Sequence, residues 1–235
     1  GLYRMLNNSK FKNVQDAMTV WKNHMVDMGF GYKLGVDLPG EARGFIPNAD
    51  YYDKVYRGSW NAVTVISIAI GQGEVTLTPL QIANLCSTIA NRGYYIAPHV
   101  VSEIEGGTLD SLYTTRHYTT VDRSHYETVV EGMRKAVLMG PCRKANLPYF
   151  EVCGKTGTAQ NRGKDHSVFM GFAPKDDPQI AIAVFVENGG FGAVYGVPIG
   201  ALMMEQYING SLSEESQVKA NQLQNSIIYY GNSER

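Results

Sequence analysis

One short stretch organises this sequence, and it reads Val152-Cys153-Gly154-Lys155-Thr156-Gly157-Thr158-Ala159-Gln160. The residues at 149–152 alternate between apolar and polar side chains, which predicts that a β-strand begins here. Alternate side chains of a strand share a face. Lys155 and Gly157 are therefore predicted to point to one side of the strand. Thr156 and Thr158 are predicted to point to the other side.

These residue types suit a site that binds an anionic group. A glycine has no Cβ, so a ligand can approach the backbone closely at Gly157. Lys155 supplies a cation, and threonine hydroxyls can donate hydrogen bonds to a carboxylate. For the tripeptide alone, the other interpretation is a surface strand with a glycine turn. The segments that follow it decide between the two interpretations.

Three segments follow one another in the chain: Lys155–Gln160, Asp165–Pro174 and Pro178–Gly190. Together they closely resemble class B penicillin-binding proteins, in which Lys-Thr-Gly is a signature motif. Within that family they look most like the elongation-type penicillin-binding protein 2. The resemblance extends from about Gly29 to Gly210. It implies an α+β fold of the serine transpeptidase and β-lactamase kind, with an antiparallel sheet flanked by helices and its upstream part outside this chain.

The resemblance also implies an activity and a role for each residue of the motif. The implied enzyme is a peptidoglycan D,D-transpeptidase, which cross-links cell-wall stem peptides through an acyl-serine intermediate. Lys155 is the implied catalytic cation. Thr156, Gly157 and Thr158 are the implied substrate-binding residues for the terminal carboxylate, and the Thr158 backbone N–H is also an implied catalytic donor to the oxyanion. The alternatives are a D,D-carboxypeptidase or β-lactamase-like hydrolase, and a non-catalytic penicillin-binding-like scaffold module.

Partners and location follow from the same resemblance. It implies the D-Ala-D-Ala end of a stem peptide as substrate, β-lactams as ligands of the whole protein, and cell-wall synthesis proteins such as a glycosyltransferase as partners. The implied location is the periplasmic face of the bacterial inner membrane, with the anchor outside this chain. The residues themselves do not indicate a nucleic-acid partner, because the formal net charge is −1. No apolar run reaches the roughly 18 to 20 residues of a membrane span, and we expect no cofactor or zinc site.

The implied nucleophile is a serine in a Ser-x-x-Lys motif, accompanied by a Ser-x-Asn motif. The matches are Ser9–Lys12 and Ser216–Lys219 for the first motif and Ser59–Asn61 for the second. We predict that these are not the catalytic set. Ser9 and Ser216 lie in polar segments, whereas the nucleophile should begin a buried helix. Both motifs are therefore expected upstream, and this chain is expected to be the C-terminal part of a transpeptidase domain.

Two other groups of reactive residues are rejected on their pattern. Asp165, His166 and Ser167 are consecutive, so they point to opposite faces of a strand and cannot form a catalytic relay together. A cleft-lining or a structural role stays open for Asp165 and His166, as it does for Gln72. The cysteines are Cys86, Cys142 and Cys153. Their odd number and the absence of C-x-x-C spacing predict small core thiols rather than disulfides or a metal site.

Periodicity and end signals predict the remaining elements. Helices are predicted over 1–28, from Pro79 after the N-cap Thr78, from Asp122 to Gly140, and over 197–208. Strands are predicted over 150–155, 167–173 and 180–186, with short strands around 99–104. We assign residues 1–210 to the C-terminal part of the transpeptidase domain. Residues 211–235 are predicted to be a polar tail, disordered or frayed.

Overall fold

The computed structural model describes residues 1–229. These residues divide into two compact units. The first unit consists of Gly1–Gln81 and Ile96–Val121. The second consists of Ile82–Tyr95 and the residues from Asp122 onward, and it contains the Lys-Thr-Gly motif.

Helices and strands are both present. The helices, in chain order, are α1 (Leu2–Leu6), α2 (Val14–Asp27), α3 (Ala49–Tyr56), α4 (Pro79–Ala90), α5 (Arg123–Met139), α6 (Gly196–Asn209) and α7 (Glu214–Gln224). The strands are β1 (Tyr94–Tyr95), β2 (His117–Tyr118), β3 (Cys153–Ala159), β4 (His166–Ala173) and β5 (Ile180–Val186). Short 3-10 helices span Ile66–Ile70, Ser111–Tyr113 and Arg143–Ala145. The predicted α+β class is confirmed, because an antiparallel sheet and helices make up the structure.

The first unit is built mainly from helices around a small apolar core. Met18 and Tyr52 are fully buried in this core. The single helix predicted over 1–28 is in fact two helices, because residues 7–13, which are polar apart from Phe11, form a turn between α1 and α2. Asn13 begins α2, since its side chain accepts a hydrogen bond from a backbone N–H in the first turn (2.8 Å).

Polar side chains that hydrogen-bond to the backbone hold the irregular segments of the first unit. The Gln81 amide group donates hydrogen bonds to the carbonyl oxygens of Tyr32 and Arg43, each at 2.9 Å. The segment around 99–104 contains no strand, which corrects the prediction. Instead, the Asp37 carboxylate accepts a hydrogen bond from the Val100 N–H (2.9 Å). The N–H groups of Val100 and Val101 thus have a side-chain acceptor in place of a partner strand.

Two helices begin where the sequence predicts. The Thr78 hydroxyl oxygen accepts a hydrogen bond from the Gln81 N–H, and the Gln81 side-chain oxygen accepts one from the Thr78 N–H, both at 3.1 Å. This reciprocal capping box starts α4 with Pro79 as its first residue. The Asp122 carboxylate starts α5 in a similar way, by accepting a hydrogen bond from the Ser124 N–H (2.8 Å).

The second unit contains an antiparallel sheet with the strand order β3-β4-β5. β3 is therefore an edge strand of the sheet. The strands at 153–159, 166–173 and 180–186 confirm the predicted β segments, although the first begins three residues later and ends four residues later than predicted. Each strand pairs with the next so that residues form rows across the sheet. Alternate rows point to opposite faces of the sheet.

One face of the sheet is covered. The other, which we call the open face, is buried at the row of Cys153 and Phe172 but only partly covered in the rows that follow it. The covered face carries the rows Gly154/Gly171/Ile182, Thr156/Phe169/Val184 and Thr158/Ser167/Val186. Helix α6 packs on this face, and the apolar core there contains Phe169, Ile182, Val184, Val197, Ala201 and Met204. The open face carries the rows Lys155/Met170/Ala183 and Gly157/Val168/Phe185. Phe185 on the other edge strand, β5, is 41% exposed, so the open face is accessible to solvent at this row.

The end of the chain differs from the prediction of a disordered or frayed tail over 211–235. Residues Glu214–Gln224 form the helix α7, and residues 230–235 lie outside the described residues. The fully buried Glu205 carboxylate of α6 accepts hydrogen bonds from the Ser213 N–H (2.9 Å) and from the Ser216 hydroxyl. The polar composition of this segment did not predict a helix, because α7 is held by the buried Glu205 carboxylate and not by a broad apolar face. The assignment of 1–210 to one domain part stays a prediction.

Candidate active site

Strand β3 carries the predicted site residues at the edge of the sheet. The Lys155 side chain is exposed, and its ammonium donates a hydrogen bond to the carbonyl oxygen of Thr156 (2.5 Å). Gly157 and Thr158 are half-buried. The structure therefore brings Lys155, Thr156, Gly157 and Thr158 together on one strand edge, with the alternation that the sequence predicts.

Gly157 keeps the open face of β3 uncovered. An added Cβ at this position would lie 3.2 Å from the Cβ of Val168, its partner across the strands. That separation is tight but leaves room if Val168, which is half-buried, moves slightly. The backbone at Gly157 is accordingly more approachable than the backbone at Gly154, where Phe169 fills the space above the strand.

On the covered side, Thr156 lies near a cysteine that the sequence did not connect with the site. Burial raises the pKa of the Cys142 thiol above its ordinary value, and this effect outweighs the nearby Lys155 charge and the backbone and side chain of Thr156, which act in the opposite direction. The thiol therefore stays neutral.

The remaining cysteines are also buried, as predicted for core thiols. No disulfide forms among the described residues, and Cys86, Cys142 and Cys153 are all free. Burial raises the pKa of Cys86 to about 12, and it does the same for Cys153. Because a thiolate is the nucleophilic form, Cys153 is unsuited to be a nucleophile despite standing two residues from Lys155.

Asp165 and His166, at the start of β4, have structural contacts. The ring nitrogen Nδ1 of His166 accepts a hydrogen bond from the Asn188 N–H (3.0 Å), and the Asp165 carbonyl oxygen accepts one from the Gly190 N–H (2.8 Å). Both contacts hold the turn that follows β5. Ser167 lies on the covered face, so the three residues do not form a relay, in agreement with the alternation argument.

The Ser-x-x-Lys and Ser-x-Asn matches have ordinary structural surroundings. Ser9 is exposed in the turn between α1 and α2. Ser59 is also exposed, and the Asn61 side chain caps a turn by accepting a hydrogen bond from the Val63 N–H (2.8 Å). Ser216 was predicted to be a surface or turn hydroxyl, but it is buried on α7 and bonded to Glu205. The hydrogen bond to Glu205 thus gives the buried Ser216 hydroxyl a structural role.

The described part of the chain has neither a metal-binding cluster nor a membrane-spanning helix. Residues 1–229 contain no group of three or more His, Cys, Asp or Glu side chains that could hold a metal ion. Among the same residues, no helix is long and apolar enough to cross a bilayer.

Comparison with known proteins gives consistent matches. The family profile described as the penicillin binding protein transpeptidase domain matches residues 10–205. The peptidoglycan D,D-transpeptidase MrdA of Acinetobacter baumannii is 36% identical over 200 residues, which cover 75% of this chain and 29% of that protein. The structure of penicillin-binding protein 2 from Pseudomonas aeruginosa in complex with WCK 5153 is 33% identical, with a TM-score of 0.72, and the match covers 86% of this chain and 46% of that chain.

A second structure shows the same likeness. It is described as the structural coordination of polymerization and crosslinking by a peptidoglycan synthase complex, and it is 31% identical with a TM-score of 0.68. The match covers 80% of this chain and 32% of that one. The chain spans about a third of the length of the curated relatives it matches. The family profile covers well over half of the chain, so the chain belongs to the penicillin-binding protein transpeptidase domain family.

Proposed function

We propose that the whole protein is a peptidoglycan D,D-transpeptidase in which β3 binds the acyl donor. The observation that carries the proposal is the strand edge, where Lys155 is exposed beside the uncovered backbone of Gly157. Membership of the transpeptidase domain family and a relative named as a peptidoglycan D,D-transpeptidase support it.

The proposed reaction has two steps. A serine oxygen attacks the carbonyl carbon of the penultimate D-alanine, and the C–N bond to the terminal D-alanine breaks as its nitrogen takes up a proton and leaves as an amine. An amine of a second stem peptide then attacks the acyl-serine ester, forming an amide bond while the serine oxygen regains a proton. We expect this serine to be none of the Ser-x-x-Lys serines of this chain.

The residues of β3 act on charge in this scheme. Negative charge develops on the attacked carbonyl oxygen, where the Thr158 N–H is the proposed donor. Lys155 offsets the charge of the substrate carboxylate, which the hydroxyls of Thr156 and Thr158 bind.

The proposal extends to partners and location. The expected ligands are the D-Ala-D-Ala end of a stem peptide and β-lactams, which carry a carboxylate and a reactive carbonyl in a similar arrangement. The related structure of a peptidoglycan synthase complex supports a glycosyltransferase as a partner of the whole protein. Such an enzyme acts where peptidoglycan is made, so the proposed location is the periplasmic face of the inner membrane.

The decisive experiment measures acylation of the full-length protein by a fluorescent penicillin in a stopped-flow instrument. We expect Lys155→Ala to slow acylation by about 100-fold or more, the effect of losing one electrostatic group in a comparable site. Lys144→Ala is the matched control, because Lys144 is an exposed lysine of the same unit outside β3. A Lys155→Ala rate within twofold of the wild type would contradict the proposed role.

The reaction class needs a second measurement. Incubation of the full-length protein with a stem-peptide donor and an amine acceptor should give cross-linked product by mass spectrometry. Hydrolysed product alone would indicate a D,D-carboxypeptidase. No turnover and no acylation by penicillin would indicate a scaffold module.

A further inference from the structure

A buried serine that the proposed reaction does not use lies next to the substrate-binding strand. Ser167 is fully buried and stands directly opposite Thr158 in the register of β3 and β4. Its hydroxyl donates a hydrogen bond to the Phe191 carbonyl oxygen (3.0 Å) and accepts one from the Gly196 N–H (3.0 Å). One side chain therefore fixes both ends of the segment at 191–196, which we call the support loop.

The support loop lies close against the covered side of β3. At Gly192, an added Cβ would lie 2.7 Å from the Gly157 carbonyl oxygen and 3.0 Å from the Cβ of Thr156. It would also lie 2.5 Å from the carbonyl oxygen of Val168 on β4. Only a glycine fits at this distance, so the loop backbone itself touches the residues that carry the Lys-Thr-Gly motif.

We propose that Ser167 is a positioning residue for the substrate-binding strand. Its two hydrogen bonds hold the support loop so that Gly192 supports Thr156 and Gly157 from the covered side. A strand that binds a carboxylate and an oxyanion must keep its donors in a fixed place, and a misplacement of about 1 Å is enough to slow a reaction strongly. This inference rests on the proposed function, and it assigns a role to a residue outside the motif and outside the expected serine motifs.

Acylation of the full-length protein by a fluorescent penicillin tests the role of the hydroxyl. We expect Ser167→Ala to slow acylation about tenfold, because it removes both hydrogen bonds that hold the support loop. Ser216→Ala is the matched control, because it also removes a buried hydroxyl from the second unit but one that binds Glu205. Its acylation rate should stay within twofold of the wild type.

Thermal melting of both variants separates positioning from stability. If Ser167→Ala and Ser216→Ala melt at the same temperature and lose acylation equally, the proposal is overturned. An unchanged acylation rate in Ser167→Ala would also overturn it. If Ser167→Ala does not fold, Ser167→Cys takes its place. Its thiol keeps a similar volume but is a weaker hydrogen-bonding group, so an intermediate rate is expected. A wild-type rate in that folded variant would count against the proposal.

A double-mutant cycle tests the contact between the support loop and β3. Gly192→Ala should slow acylation to a similar extent, and the Ser167→Ala/Gly192→Ala double variant should be little slower than the worse single variant, because both changes disturb one contact. Effects that simply multiply would overturn the inference. Lys155→Ala, measured in parallel, separates the two proposals. A normal rate in Ser167→Ala with a lost rate in Lys155→Ala defeats only the positioning role, whereas a normal rate in Lys155→Ala defeats the proposed function.

Discussion

Two glycines of β3 stand three residues apart and have opposite surroundings. Gly154 lies on the covered face, where an added Cβ would be 2.6 Å from the ring of Phe169. Gly157 lies on the open face, where the nearest atom would be the Cβ of Val168 at 3.2 Å. Strand alternation places the two residues on opposite faces of β3, but it does not tell which face the core covers. Only the packing of the sheet shows that Gly154 makes room for the core and that Gly157 leaves room for a ligand.

This contrast gives a prediction for stability and acylation. Gly154→Ala should lower the free energy of unfolding by about 1–3 kcal/mol, because the ring of Phe169 is fully buried and cannot move away without strain. Gly157→Ala should cost less stability but should slow acylation by penicillin, because its methyl group projects where the ligand approaches. Urea denaturation and stopped-flow acylation of the two variants measure both effects. A greater loss of stability in Gly157→Ala would show that the faces are assigned wrongly.

At the level of residues, the sequence predicted those neighbours that follow from alternation. Lys155 and Thr156 lie on opposite faces as expected, because the strand has a period of two. Cys142 and Gly192 were not predicted as parts of the site. They reach β3 from a 3-10 turn before it and from a loop after β5, and no local pattern reports a contact across such a separation in the chain.

Helices were predicted well where a capping residue and the apolar periodicity agree. They were predicted poorly where a residue distant in the sequence holds the helix in place. The capping signals at Thr78 and Asp122 gave the starts of α4 and α5, since a cap satisfies backbone N–H groups within the same turn. Helix α7 was missed because its polar composition is typical of a tail. Its position depends on the carboxylate of Glu205, which lies on the neighbouring helix α6.

The docking of α7 should depend on pH. Burial alone would raise the pKa of Glu205, but hydrogen bonds from the Ser216 hydroxyl and from Ser213 together lower that pKa below its ordinary value. A carboxylate with a lowered pKa in the folded state stabilises the fold above the pKa of the unfolded state, and this contribution is lost as the pH falls through the folded pKa. We therefore expect α7 to dock fully above about pH 5, near the ordinary pKa of a glutamate, and to loosen in more acidic solution.

Hydrogen exchange of the α7 backbone amides measures this directly. Protection relative to that of α5 should fall as the pH is lowered from 6 to 3, after correction for the intrinsic exchange rate. In Glu205→Gln the protection of α7 should be lower at pH 6 and should no longer change with pH. A wild-type pH response that persists in Glu205→Gln would assign the effect to another group.

At the scale of the whole molecule, the second unit has a sheet with one covered face. Helix α6 packs on that face, while Val168, Met170 and Ala183 of the other face are only half-buried, and Phe185 beside them is exposed. In a lone domain such a row of apolar side chains would be covered by helices, as it is on the opposite side. The sequence likewise places part of the transpeptidase domain outside this chain, because the serine motifs of the family are not matched by suitable residues.

The last prediction concerns the chain of residues 1–235 by itself. We expect it to form no covalent adduct with a fluorescent penicillin, because none of its Ser-x-x-Lys serines is placed as an activated nucleophile. Ser9 is exposed in a turn, and the Ser216 hydroxyl is buried and bonded to Glu205, while Lys219 is paired with Glu215 (2.7 Å).

Intact-mass analysis after incubation tests this expectation, with the full-length protein as the positive control. The Lys155→Ala variant of the chain identifies unspecific acylation of lysines, which would persist in it, whereas a site that needs Lys155 would lose its adduct. A stoichiometric adduct that depends on Lys155 would contradict the prediction. If peptide mapping placed it on Ser9, the catalytic set would be Ser9, Lys12, Ser59, Asn61 and Lys155, and the nucleophile would lie within this chain after all.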